Sequence, residues 1–187
     1  PEVLVPGAIL TVEGGKTAAE AEQAYWDELV AADALKQQQA TKSRDIVAWG
    51  DSLTKGSGAK PGGSYPEQIQ LRSTRRVSNQ GIGGESAQAI FSRMQASPEL
   101  NKNIVVIWAG RNDINGGNPL AIVRRIEDMV ALTDGDRYLV LSITNGALEP
   151  AGSKNHSTIL AVNQRLAELY GPRFVDVRTA LVTAAGF

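Results

Sequence analysis

Two patterns of apolar residues alternate along the chain from residue 45 onward. Short continuous apolar runs, such as Ile104–Trp108, predict strands that are buried on both faces of a sheet. Between these runs, apolar residues recur at helical spacing, as in the i, i+3, i+4, i+7 stripe that begins at Ala87. The strands are predicted at 45–49, 75–79, 103–109, 137–143 and 173–177.

Capping residues and prolines mark the helix boundaries. The stretch from Ser64 to Glu67 and the pair Asn118–Pro119 are start signals, whereas Pro98 and the pair Gly171–Pro172 are stop signals. Strands that alternate with helices imply a parallel sheet with helices on both faces. The sequence therefore predicts an α/β fold, a doubly wound (flavodoxin-like) five-stranded parallel sheet in a three-layer α/β/α arrangement.

Residues 1–40 form a predicted N-terminal extension with one appended helix. Thr17–Glu20 has the pattern of a capping box at the start of that helix. Apolar pairs at i,i+4 follow it: Tyr25 with Leu29, and Trp26 with Val30. Three roles stay open for the helix, namely a remnant of a preceding domain, a packing arm, or a homo-oligomerisation element through residues 17–40. Residues 41–187 are then the α/β domain.

Composition narrows the possible function classes. The chain has 187 residues, of which 42% are hydrophobic and 21% charged, and its net charge is −1. These values are typical of a globular domain and give no basic surface for nucleic acid or an anionic membrane. Cysteine is absent, which excludes disulfides and thiol catalysis. No membrane-spanning run and no signal peptide are visible, so a soluble protein of unknown compartment is expected.

Three short segments each follow a predicted strand. They are Gly50-Asp51-Ser52-Leu53-Thr54, Asn79-Gln80-Gly81-Ile82-Gly83-Gly84 and Gly110-Arg111-Asn112-Asp113. Doubly wound sheets bind their ligands beyond the carboxyl ends of the strands. All three segments are therefore expected at the ligand-binding edge of the sheet.

Each segment supplies one group that acyl transfer needs. Ser52 offers a hydroxyl nucleophile, although its surroundings are not a Gly-x-Ser-x-Gly elbow and a helix-capping serine is the alternative. Gly84 offers a backbone N–H that can approach an oxyanion, and the alternative is that it is a turn glycine that requires positive φ. Asn112 offers a side-chain amide donor, and the alternative is that it is an ordinary loop residue. Asp113 is expected to make a local turn or cap.

Two glycine-containing stretches fall short of the patterns of nucleotide-binding loops. Gly81 and Gly83 after a strand resemble a dinucleotide-binding loop, but Ser86 stands where the third glycine belongs and no acid ends the next strand. The glycine-rich stretch from Gly56 to Gly63 lacks the Gly-x-x-x-x-Gly-Lys-Ser/Thr pattern of a phosphate loop. Neither site is therefore predicted.

Taken in order, the three segments resemble the first three blocks of the SGNH (GDSL-type) hydrolase family, and they look most like bacterial or bacteriophage-associated members. The resemblance covers about residues 45–180. It implies that Ser52 is the nucleophile and that the oxyanion hole consists of the Ser52 N–H, the Gly84 N–H and the Asn112 side chain. Family members cleave acyl or acetyl esters without a metal or an organic cofactor, and several act on acetyl groups of polysaccharides. A small ester or an acetylated glycan is the substrate that the resemblance implies.

The family's fourth block, Asp-x-x-His after the last strand, has no counterpart in residues 178–187. The only histidine is His156, and Ser153 stands where the preceding aspartate would be needed. Three hypotheses follow. The chain is C-terminally incomplete, which would bare an apolar stripe of the sheet. In the second hypothesis, the chain is a noncatalytic carbohydrate-binding or assembly module on the same fold. In the third, His156 is a relocated base; it could also simply line the substrate cleft.

Overall fold

The computed structural model describes residues 11–12, 16–42, 45–146 and 149–184. The part of the predicted extension before Thr11 lies outside the described residues. The chain divides into two compact units, Pro1–Lys42 and Ser43–Phe187. Within the described ranges, no helix is long and apolar enough to cross a lipid bilayer.

The first unit contains a short antiparallel strand pair and one long helix. Strand β1 (Thr11–Val12) pairs with β2 (Lys16–Thr17), and helix α1 spans Ala18–Lys42. The predicted capping box is present, because the Glu20 carboxylate accepts from the Thr17 N–H at 2.7 Å and the Glu20 N–H donates to the Thr17 hydroxyl at 3.3 Å. The apolar pairs of this helix are exposed within the structure: Tyr25, Trp26, Leu29 and Val30.

The second unit is built on a five-stranded, all-parallel sheet with the strand order β4-β3-β5-β6-β7. Its strands are β3 (Ile46–Gly50), β4 (Val77–Gly81), β5 (Ile104–Trp108), β6 (Tyr138–Leu141) and β7 (Phe174–Val175). Because β3 pairs with both β4 and β5, the direction of winding reverses beside β3, and sheets of this kind bind ligands at that reversal. The predicted doubly wound parallel fold is confirmed.

The helices of this unit begin where the sequence places capping residues. They are α2 (Ser52–Lys55), α3 (Tyr65–Arg72), α4 (Ala87–Gln95), α5 (Pro119–Ala131), α6 (Lys154–Tyr170) and α7 (Val177–Ala184). Ser64 and Glu67 form a capping box at α3, and the Asn118 side chain accepts from the Leu120 N–H at α5. These short polar side chains satisfy N–H groups that the first turn leaves unpaired.

The last two strands are shorter than the sequence predicts. β6 lacks the final residues of 137–143, and β7 lacks those of 173–177. The structure explains the second difference through Asp176, whose Oδ1 accepts from the Thr179 N–H at 3.0 Å and from the Ser142 hydroxyl at 3.1 Å. Asp176 thereby caps α7, a helix that the apolar pattern did not predict, and the chain leaves the sheet there.

The two faces of the sheet are covered unequally. Helices α4, α5 and α6 bury one face around Trp49 and Ile107. Helices α3 and α7 cover the other face, where the buried cluster consists of Ile46, Val106 and Leu141. The side chains alternate between the two faces along each strand, which gives the three-layer arrangement.

An apolar groove of about 410 Å³ lies on the thinly covered face. Its walls come from α3, α7 and the strands between them. It is lined by Tyr65, Ile69, Val106, Trp108, Leu139, Leu141, Val175, Val177, Ala180 and Leu181. The hypothesis of C-terminal incompleteness stays a prediction.

Candidate active site

The three sequence segments meet at one edge of the sheet because their strands are in register. Gly50, the last residue of β3, pairs with Gly81 on β4 and with Trp108 on β5. The chain therefore leaves all three strands at the same level, beside the point where the winding reverses.

Ser52 is the first residue of the short helix α2, and it is half-buried. Asp51 caps this helix, since its Oδ1 accepts from the Leu53 N–H at 2.9 Å. Asp51 therefore caps this helix, and Ser52 does not have the capping role that was its alternative. Ser52 instead lines an open cleft.

Asp51 is a buried acidic group directly beside Ser52. Only 1% of its surface is exposed. Burial raises the pKa of its carboxyl, and the nearby charge of Asp113 acts in the same direction. The Leu53 N–H and the Arg111 guanidinium oppose this rise, because both stabilise the ionised carboxylate.

The end of β4 is held against α2 by Asn79. The Asn79 amide donates to the Thr54 carbonyl at 2.9 Å, and its side-chain oxygen accepts from the Gly81 N–H at 2.9 Å. A Cβ atom on Gly81 would lie 2.1 Å from the backbone nitrogen of Lys55. Only glycine permits this approach, so the second segment is fixed beside the helix that carries Ser52.

The loop after β4 brings two further glycines near the serine. A Cβ atom built on Gly83 would lie 3.8 Å from the Ser52 Cβ. Gly84 has a φ of 81°, a conformation that favours glycine. Its environment is open, and it is exposed. Both alternatives for Gly84 remain compatible with the structure, because its positive φ calls for glycine and the same loop passes close to Ser52 at Gly83.

Asn112 lies in a 3₁₀ turn, Arg111–Asp113, that follows β5. Its amide nitrogen donates to the Glu85 carbonyl at 2.8 Å and stands 3.4 Å from Asp51 Oδ2. The second contact is at the long limit of a hydrogen bond. One amide hydrogen is thus used by the Glu85 carbonyl, and the other is held only by the long contact to Asp51.

Asp113 does more than the local turn expected from the sequence. Its Oδ2 accepts from the Ala87 N–H at 2.8 Å, across 26 positions of the chain. It joins Ser86, the N-cap of α4, in satisfying the first N–H groups of that helix. The third segment is therefore attached to the helix that follows the second.

His156 lies in the first turn of α6, whose N-cap is Ser153. Arg178 Nη2 donates to His156 Nε2 at 3.2 Å, and because a guanidinium only donates, this ring nitrogen is the acceptor. Arg178 also donates to Asn145 Oδ1 at 2.5 Å. The structure thus brings Ser52 and Asn112 into one cleft and places His156 on Arg178, outside the cleft lining.

The cleft around Ser52 is open, mostly polar and has a volume of about 700 Å³. It is lined by Ser52, Leu53, Arg111, Asn112, Asn115, Gly146, Glu149 and Asn155. The loops 113–118 and 145–156 contribute Asn115, Gly146, Glu149 and Asn155 to this lining. Residues 147–148 lie outside the described part of the chain.

An ion pair that the sequence did not indicate spans the cleft. Arg111 Nη2 lies 3.2 Å from Glu149 Oε2, and the Glu149 side chain is only 8% exposed. The same carboxylate accepts from the Gly146 N–H at 2.7 Å and from the Asn155 amide at 3.3 Å. Glu149 stands in an irregular loop, so no periodicity or motif marks it.

Among the described residues, no group of three or more acidic or histidine side chains is arranged to hold a metal ion. The cleft lining instead combines the Ser52 hydroxyl with amide, guanidinium and carboxylate side chains.

A family model described as GDSL-like lipase/acylhydrolase matches residues 48–186, which is most of the chain. The chain belongs to the GDSL-like lipase/acylhydrolase family. By this membership it is a carboxylic ester hydrolase, and the resemblance to SGNH hydrolases that the three segments indicated is confirmed.

Solved structures share the fold of this GDSL-like chain. The SGNH-hydrolase family esterase AlinE4 is 24% identical with a TM-score of 0.61, covering 75% of this chain and 79% of that one. A lipolytic G-D-S-L family protein from Veillonella parvula is 19% identical with a TM-score of 0.66, covering 76% and 82%. The esterase EstA from Pseudoalteromonas, inhibited by monoethylphosphonate, is 17% identical with a TM-score of 0.58, covering 71% and 76%. No curated protein matches the chain in sequence.

Proposed function

We propose that this GDSL-like chain is a serine esterase in which Ser52 is acylated and the oxyanion is held by the Ser52 N–H, the Gly84 N–H and the Asn112 amide. The observation that carries the proposal is the convergence of the three segments at one edge of the sheet, with Ser52 and Asn112 lining the same cleft. Donors aimed at the developing charge are what acyl transfer requires.

The proposed reaction has two steps. The Ser52 Oγ forms a bond to the ester carbonyl carbon, the bond to the alcohol oxygen breaks, and the alcohol leaves with a proton. Water then attacks the acyl-Ser52 carbon, the acid is released, and a proton returns to Oγ. Both steps need a group that relays the proton. The described residues offer His156 as the only histidine, and it would have to leave Arg178 to serve.

The polar cleft favours a small acyl group on a hydroxylated alcohol. Most of the lining side chains are polar, with Arg111 and Asn155 already bonded to Glu149 and Asn115 beside them, whereas Leu53 is the one large apolar side chain in the lining. Sugar hydroxyls are bound by such mixed donors and acceptors. We therefore propose an O-acetylated carbohydrate as the substrate class.

The test measures acetate release from an activated acetate ester and from an acetylated oligosaccharide. Ser52→Ala should abolish turnover of both, because it removes the nucleophile. Ser57→Ala, at an exposed serine in the turn after α2, is the matched control and should keep the wild-type rate. An octanoate ester should react more slowly than the acetate. Turnover that survives Ser52→Ala would contradict the proposal.

A second function is favoured by one specific observation, the engagement of His156 by Arg178 away from the cleft. Without a base, a serine hydroxyl is a poor nucleophile at neutral pH. The chain would then be a noncatalytic carbohydrate-binding or assembly module that holds an acetylated glycan. Calorimetric binding of the acetylated oligosaccharide without any acetate release would identify that function.

A further inference from the structure

Arg93 lies outside the cleft lining and is linked to all three segments of the candidate site. It lies on α4, and its guanidinium reaches the ends of two strands. Nη2 donates to the Gln80 carbonyl at 2.9 Å and to the Gly50 carbonyl at 3.4 Å. Gly50 directly precedes Asp51 and Ser52, and Gln80 precedes the glycine loop of the second segment.

The third segment is attached through Glu85. Arg93 Nε lies 2.9 Å from both carboxylate oxygens of Glu85, and Nη2 lies 2.5 Å from Oε2. The backbone carbonyl of the same Glu85 accepts the Asn112 amide at 2.8 Å. One guanidinium thus fixes the residue that in turn orients Asn112.

Three features make this position stiff. The guanidinium stacks over the ring of Trp49, 5.0 Å from its centroid, and Trp49 is buried with 1% exposure. The Arg93 and Glu85 side chains are only 24% and 16% exposed, so solvent screens their attraction weakly. A planar guanidinium with five donors can serve a carboxylate and two carbonyls at once, which a lysine ammonium cannot do with the same geometry.

We propose that Arg93 is a positioning residue that holds the oxyanion donors in register with Ser52, an inference that rests on the proposed esterase function. Arg93 is not among the residues that line the cleft around Ser52. Its action runs through the backbone at Gly50 and Gln80 and through the Glu85 carbonyl.

Loss of this support acts on the transition state more than on substrate binding. The oxyanion forms only during the reaction, so displaced donors lower kcat and leave KM nearly unchanged. A displacement of about 1 Å in such a site costs roughly 100-fold in rate. We expect Arg93→Met to lower kcat by about that factor, and Arg93→Lys by a smaller but clear factor.

The matched control is Arg125→Met. Arg125 also stacks on an aromatic ring, 4.9 Å from the Phe91 centroid, and pairs with Asp128 at 2.8 Å, but it touches none of the three segments. kcat, KM and the unfolding midpoint are measured for both variants beside Ser52→Ala. A kcat loss confined to the Arg93 variants at unchanged KM is the expected result. An equal loss in Arg125→Met, or wild-type kcat in Arg93→Met, overturns the inference.

Hydrogen exchange gives a readout that does not depend on turnover. Mass spectrometry should show faster exchange at 80–86 and 111–113 in Arg93→Lys, with these segments unchanged in Arg125→Met. Unchanged exchange in the Arg93 variants would overturn the inference. Turnover that persists in Ser52→Ala would instead contradict the proposed function, so the two failures are distinguishable. If Arg93→Met does not fold, Arg93→Lys decides the outcome alone.

Discussion

Gly84 adopts a φ of 81° in the segment proposed to bind the oxyanion. A side chain in this left-handed conformation is disfavoured by about 1–2 kcal/mol. Gly135 is the matched position, because it has a φ of 63° and, like Gly84, its Cβ would meet no described atom within 4 Å. A comparison of alanine substitutions at the two glycines therefore distinguishes the effect of backbone strain from a role of Gly84 in the site.

We expect Gly84→Ala and Gly135→Ala to lower the free energy of unfolding by similar amounts, about 1–2 kcal/mol, since the strain is the same in kind. Only Gly84→Ala should also lower kcat for ester hydrolysis, because only its N–H is proposed to face the oxyanion. Urea unfolding and steady-state kinetics on both variants test this. Equal kinetic effects would contradict the assignment of Gly84.

Asp51 makes the free energy of unfolding depend on pH. Burial raises the pKa of Asp51 above its ordinary value of 3.8, so just above this pH the folded chain binds more protons than the unfolded chain. The contribution of this carboxyl to the free energy of unfolding therefore falls as the pH rises through the raised pKa.

Asp51→Asn removes this titration while keeping a side chain that can cap α2. The stability of the variant relative to the wild type should rise with pH above 3.8, by at most about 1.4 kcal/mol per pH unit. Urea unfolding of both proteins between about pH 4 and about pH 7 gives the difference curve. A flat or falling difference would show that burial does not raise the pKa of Asp51.

At the scale of elements, the transition from β7 to α7 depends on Asp176. Burial acts to raise the pKa of this carboxyl, but hydrogen bonds from Thr179 and Ser142, and the charge of Arg178, outweigh it and lower the pKa. The stability that Asp176 contributes is thus present above its ordinary pKa of 3.8 and is lost as the pH falls through the lowered value.

Asp176→Ala should lower the free energy of unfolding by about 1 kcal/mol at neutral pH, because α7 loses its cap and the Ser142 hydroxyl loses its acceptor. Asp136→Ala is the control, since Asp136 is an exposed partner of Arg173 and surface pairs contribute little. Thermal and urea unfolding measure both. A loss no larger than that of Asp136→Ala would mean that α7 is not held by this cap.

At the scale of the whole molecule, α1 presents exposed apolar side chains in the first unit. Trp26 is 54% exposed and Val30 is 68% exposed. Contiguous exposed apolar surface commonly marks an interface. The oligomerisation role of residues 17–40 is therefore retained as a prediction.

We expect the mass of the chain in light scattering to exceed the 19.9 kDa of a monomer. Combined Trp26→Ser and Val30→Ser substitutions should return it to the monomer mass, because they remove the apolar surface that a second copy would cover. Leu71→Ser, at another exposed apolar residue, is the control and should leave the mass unchanged. A wild-type chain of monomer mass would exclude this role.

Most of the architecture was predictable because it depends on local chemistry. The alternation of strand and helix patterns in the sequence placed all five strands, with β3 and β5 within a residue or two of their observed ends, and Ser64 and Asn118 marked helix starts. The end of β7 was not predictable in this way. It depends on Asp176 meeting Ser142, a contact between residues far apart in the chain.

The family, the parallel fold and the segments that carry Ser52, Gly84 and Asn112 could be predicted from the sequence alone, because each segment is a short run whose position after a buried strand fixes its place at the sheet edge. How these segments are held together depends on the folded chain. The Asp113 cap on α4, the Arg111–Glu149 pair across the cleft and the engagement of His156 by Arg178 all join distant residues. Such contacts leave no periodic trace in a sequence, since they depend on where the folded backbone brings each side chain.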